Sequence, residues 1–106
     1  MNSDFSLSYT VDDGTALLTL RGRFDFSQYS VFKEEQTRVL EKPEVSNIVL
    51  DFAGLEYLDS AALGILLVLN DRAKEHQQTV TIRHARGVVR EILDVAHFDR
   101  MFTIED

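Results

Sequence analysis

The period of the apolar residues changes several times along this chain, and that change limits the fold more than any other feature. Phe5, Leu7, Tyr9 and Val11 alternate with Ser6, Ser8 and Thr10, the period-two pattern of a strand with one covered face. Asp12-Asp13-Gly14 supplies turn chemistry, and Thr15 to Leu20 alternates again. Phe5–Val11 and Thr15–Arg21 are therefore expected to form a hairpin. After Gly22 the period becomes helical: Tyr29, Phe32, Val39 and Leu40 recur at helical spacing, with Ser27 available as a cap and Pro43 just beyond the end. Val45–Phe52 holds Ile48-Val49-Leu50 without alternation, which suits a central strand buried on both faces, and Asp51 and Gly54 are expected to end it.

Ala61–Leu69 could be strand or helix by period alone. Asp59-Ser60 before it, its Ala and Leu content and the tail Asn70 to Glu75 decide for a helix. Thr79–Arg83 reads as a short strand carrying Val80 and Ile82. Val88, Val89, Ile92, Leu93 and Ala96 form another helical stripe, and Met101–Ile104 a last strand. The order β-β-α-β-α-β-α-β defines an α/β fold. Helices between strands imply crossovers and parallel pairing, and the opening hairpin adds an antiparallel element, so the sheet is expected to be mixed. A length of 106 residues without a break in composition or an internal repeat matches one domain, 1–106.

Charge and residue usage remove whole classes of function. Eleven Lys+Arg against 18 Asp+Glu leave a formal charge of −7, which repels phosphate backbones and anionic membranes, so direct nucleic-acid binding is not expected. The absence of cysteine removes disulfides, thiolate metal sites and thiol nucleophiles. Met1-Asn2-Ser3-Asp4 lacks a positive n-region, and the run Ala61–Leu69 is about half the ~20 residues that cross a bilayer, so a cytoplasmic protein without membrane insertion is expected. The five glycines are too dispersed for a P-loop or a dinucleotide loop. His76, His84 and His97 show no ligand spacing, and they read as surface or partly buried residues; neither a metal nor a cofactor is expected.

Ser60 stands between a buried strand and a helix, the placement that a nucleophile elbow uses. Leu58-Asp59-Ser60-Ala61-Ala62 lacks the flanking glycines of Gly-x-Ser-x-Gly, so enzymatic hydrolysis is not expected. Asp59 and Ser60 could also serve simply as caps for the free N–H groups of the helix start.

The wider string from Ile48-Val49-Leu50-Asp51 through Leu58-Asp59-Ser60-Ala61-Ala62-Leu63-Gly64 resembles the signature of STAS domains. In that family a buried strand ending in Asp leads through a short loop to Asp-Ser and a small-small-Leu-Gly helix start. Leu20 to Asp25 looks like the family's Gly-x-Leu-Asp segment, with Phe24 in place of the usual Leu. Ala61 and Ala62 stand where SpoIIAA-like anti-sigma-factor antagonists often have Ser or Thr and Gly. Only two residues follow Ile104 in this sequence, so the family's common final helix is not expected in it. The resemblance runs from about Phe5 to Ile104 and implies a regulatory binding protein. By it, Ser60 accepts phosphate from a serine protein kinase that is itself the anti-sigma-like partner, and a PP2C-type phosphatase removes it. It also implies that Asp25 and Asp59, which read otherwise as a turn residue and a helix cap, border the phosphorylation site as partner-binding residues that help the kinase or phosphatase recognise it. The alternative within the family is an unphosphorylated scaffold subunit of a lipid-trafficking ABC transporter.

At 100° per residue, Leu63, Gly64, Leu67, Asp71, Lys74 and Glu75 share the Ser60 side of the helix, and Ala62, Ile65, Leu66, Leu69 and Ala73 lie opposite. The second set is the expected core face. Leu63, Gly64 and Leu67 are then the candidate partner-binding residues beside Ser60; the two leucines read equally well as extra core under a neighbouring loop. A monomer is expected.

Overall fold

The computed structural model describes residues 5–105. Strands β1 (Ser6–Asp12) and β2 (Thr15–Phe24) form the expected antiparallel hairpin, turned at Asp13 and Gly14, both with positive φ. A short 3-10 turn, Phe26–Gln28, leads into α1 (Tyr29–Leu40). The chain continues as β3 (Asn47–Leu58), α2 (Ser60–Glu75), β4 (Thr79–Arg83), α3 (Gly87–Val95), a second 3-10 turn at Phe98–Arg100 and β5 (Thr103–Glu105). The sheet runs β1-β2-β3-β4-β5, with every pair after the hairpin parallel. The expected order and the mixed sheet are both present.

The strands run further than the turn-forming residues suggest. Gly22 lies inside β2, and Asp51 and Gly54 lie inside β3. The β2–β3 register shifts between Thr19 and Arg21 and again between Gly22 and Arg23, so β3 takes up two extra residues as bulges. Gly22 adopts φ 89°, a conformation that a side chain disfavours. At Gly54 a Cβ atom would approach Arg21 Cγ to 2.8 Å, so this glycine permits close strand approach rather than ending the strand.

Asp51 anchors the first bulge: its Oδ1 accepts from the Ala53 N–H at 3.0 Å and faces His84 Nδ1 at 3.2 Å. Burial works to raise the carboxyl pKa, but the Ala53 N–H, His84 and Arg83 together hold it below the ordinary value. A lowered folded-state pKa contributes stability that is present above the unfolded value and lost as pH falls through the folded one. Asp51→Asn should therefore be less stable than the parent at pH 7, with the gap closing in acid below about pH 4. Denaturant melts at both pH values check this; a gap independent of pH would count against the linkage.

One contiguous core joins the sheet to all three helices through Phe24, Phe32, Phe52, Leu58, Leu66 and Leu93. The Phe24 ring lies 5.1 Å from Phe32 and 5.4 Å from Phe5. The core face of α2 consists of Ala62, Ile65, Leu66, Leu69 and Ala73, as its period implies, together with Asn70. Asn70 is tolerated there because its Nδ2 donates to the Met101 carbonyl at 3.2 Å. Tyr29 departs from the expected core stripe of α1 and stands exposed. Among the described residues, no helix is long and apolar enough to cross a membrane.

Candidate functional site

Parallel pairing of β2 with β3 aligns Phe24 with Leu58, so Asp25 and Asp59 leave the sheet side by side. The Asp59 N–H donates to the Phe24 carbonyl at 3.3 Å and ties the two segments together. Residues 34 apart in sequence thus meet at the carboxyl end of two central strands, where ligand and partner sites of α/β sheets gather.

Each aspartate caps its own turn. Asp59 is the N-cap of α2: its Oδ1 accepts from the Ala62 N–H at 2.8 Å, and its carbonyl accepts from the Leu63 N–H at 3.1 Å. Asp25 caps the 3-10 turn, accepting from both the hydroxyl and the N–H of Ser27. These two hydrogen bonds, the hydroxyl's first, hold its carboxyl below the usual range and keep it ionised at neutral pH. Ser27 is therefore a donor to the cap rather than the cap of α1.

Since Asp59 performs the capping, Ser60 is left as the first helical residue, exposed and outside the cap. Among the described residues its hydroxyl takes part in no hydrogen bond. A group attached there would project from the positive end of the helix dipole, beside two carboxylates.

Leu63 and Leu67 prove to be half-buried, packed against the rim of the core. The more exposed apolar residue on this helix is Val68, at 51%. It faces a groove between α1 and α2 whose other wall carries Phe26, 69% exposed, and Tyr29, their rings 6.1 Å apart. On the far side of α2, Leu63 lines a second groove with Val88, Ile92 and Val95 of α3, where Val95 is 81% exposed. Sequence reasoning missed Phe26, Val68 and Val95. Their signal was present only as apolar residues outside the core period, which carry meaning once the helices are seen to flank Ser60.

Gly64 sits exposed at the edge of the first groove, on the face turned away from the sheet. A Cβ atom there would meet nothing within 4 Å, so the fold imposes no need for a glycine. In a helix interior it costs about 0.8–1.0 kcal/mol relative to alanine. Gly64→Ala is accordingly expected to stabilise the protein by roughly 0.5–1 kcal/mol in denaturant melts; a destabilised variant would show that the glycine serves the fold after all.

Comparison with known proteins agrees with this architecture. The family model described as "Mlab, STAS domain" matches residues 7–104. A STAS-domain containing protein of Pseudomonas aeruginosa is 36% identical over 93 residues, covering 87% of this chain and 90% of that protein. The crystal structure of an anti-sigma factor antagonist from Mycobacterium paratuberculosis superposes with a TM-score of 0.83 at 19% identity, over 97% of this chain and 86% of that one. The antagonist SpoIIAA in its unphosphorylated form gives 0.75 at 17% identity, over 97% and 88%. The phosphorylated form of Bacillus SpoIIAA gives 0.71 at 16%, over 95% and 90%. At such identities the solved structures establish the fold alone. The family match covers nearly the whole described chain and the Pseudomonas relative is 36% identical over the aligned residues, so this chain belongs to the STAS domain family.

Proposed function

We propose that this chain is a cytoplasmic, non-enzymatic regulatory protein of the partner-switching type. It binds a serine-kinase, anti-sigma-like partner when Ser60 is free and releases it when Ser60 is phosphorylated; a PP2C-type phosphatase resets it. The observation that carries this reading is the division of labour at the start of α2: Asp59 caps the helix, and Ser60 is left exposed with an unengaged hydroxyl. Modification there requires no unfolding, because no native hydrogen bond of that hydroxyl has to break. That SpoIIAA, a protein of the same fold, exists in unphosphorylated and phosphorylated forms supports the chemistry.

Asp25 and Asp59 frame the serine for recognition, and Leu63, Gly64 and Leu67 form the contact surface next to it. Intact mass followed by peptide mapping, on protein expressed in its native host, tests the proposal. A fraction heavier by one phosphate at Ser60 is expected. Phosphate confined to Ser3, Ser6, Ser8, Ser27, Ser30 or Ser46 would overturn it.

A second reading, an unphosphorylated scaffold subunit of a lipid-trafficking transporter, draws support from the extent of exposed apolar surface on both flanks of α2. Co-purification of an ATPase with wholly unphosphorylated protein would favour it.

A further inference from the structure

The groove between α1 and α2 is a formed cleft of about 530 Å³, within the range of small-molecule sites. Ile65 and Gln36, both buried, form its floor, and Phe26, Tyr29 and Val68 supply exposed apolar walls. Because α1 and α2 follow parallel strands, they run in the same direction, and the cleft follows them away from Ser60. From Ala61 to Arg72, helix α2 rises about 16 Å.

Its charge is opposite to that of the molecule. The chain has 18 acidic residues against 11 basic ones, yet the groove is lined by two cations, Lys33 and Arg72, and by no carboxylate. Neither cation is paired with an acid among the described residues. Arg72 lies at the end remote from Ser60, beyond the apolar stretch. Gln36 adds a further polar group: it is only 4% exposed, and its Oε1 is buried without a hydrogen-bond partner. Its Nε2 takes part in no hydrogen bond among the described residues, so its N–H groups are available to a ligand in the cleft.

We propose that this groove binds a small amphiphilic carboxylate. The apolar tail lies along Ile65, Val68 and the Phe26–Tyr29 pair, and the carboxylate reaches Arg72, Lys33 and the Gln36 amide. Gly64 leaves the rim open for the tail, which gives that residue a use the fold itself does not supply. Occupancy would cover the surface next to Ser60 and compete with a protein docking there.

Titration of isotopically labelled, unmodified protein with sodium decanoate below its micelle-forming concentration tests this by NMR. Saturable shifts at Tyr29, Gly64 and Val68 are expected, with those of β4 unmoved. Decanol and decyltrimethylammonium should bind at least about tenfold more weakly, as should decanoate to Lys33→Gln/Arg72→Gln. Val68→Trp, at an exposed position, should fill the cleft and abolish the shifts without altering the melt; if it fails to fold, the double variant decides. Absence of saturable shifts, equal binding of decanol, an unaffected double variant, or shifts centred on Leu63 and Val95 would each overturn the proposal. No partner or phosphate enters this experiment, so its outcome is independent of the switch at Ser60.

Discussion

Phosphorylation of Ser60 is expected to weaken binding to the cognate serine kinase by at least about tenfold, or ~1.4 kcal/mol. The phosphoryl group adds about −1.5 to −2 charges at pH 7. In the free protein the start of α2 offsets this by roughly 0.3–1 kcal/mol, while Asp59 and the ionised Asp25 oppose it. The modified protein should therefore remain folded with nearly the same melt. In a complex the balance differs, because docking removes water from a near-dianion beside half-buried Leu63 and Leu67, and an unpaired charge taken out of water costs several kcal/mol. Ser60→Ala should bind constitutively, and Ser60→Asp, with one charge on a shorter arm, should mimic the phosphorylated state only in part. Calorimetric titration of the kinase with each form measures the effect; undiminished affinity of the phosphorylated protein would move the scaffold reading to first place.

Leu66→Ala is expected to lower the unfolding free energy by roughly 2–5 kcal/mol, the range for truncating a buried leucine. Leu66 is wholly inaccessible, on the face of α2 that packs onto the sheet beside Ile65 and Leu69. Removal of its side chain forfeits the burial of three carbons and leaves a cavity that the surrounding aromatic and aliphatic residues can fill only partly. For a domain of this size the melting midpoint should fall by about 10 °C or more. A loss below about half a kcal/mol in denaturant melts would mean that the site collapses freely or that the helix is misoriented. Val68→Ala, two residues along and half exposed, should change little by comparison.

Much of the fold was legible in the sequence because hydrophobic period is a local property. The hairpin, the unalternating β3, the helical stripe of α2 and the limits of β4 all follow from spacing within a dozen residues, as does the division of α2 into Leu66 and Leu63 faces. The positions at which β2 and β3 end were not legible in this way. Gly22, Asp51 and Gly54 carry turn chemistry, yet all three lie within strands, because bulges on the β2–β3 pair absorb them through contacts with residues some thirty positions away. Tyr29 fits the apolar period of α1 but is exposed, since Phe26 and not the sheet is its neighbour.

The sequence by itself determined the α/β order, the Asp59-Ser60 step and the charge that argues against nucleic-acid binding, all consequences of composition and short-range spacing. Only the tertiary structure decided that Asp59 takes the cap while Ser60 stays free, and that Asp25 stands beside Asp59. It alone formed a cationic, apolar cleft from Phe26, Lys33, Val68 and Arg72. The physical reason is that a hydrogen-bond partner, an aligned strand end and a groove between two helices are relations between distant segments, fixed when parallel pairing and core packing bring those segments together.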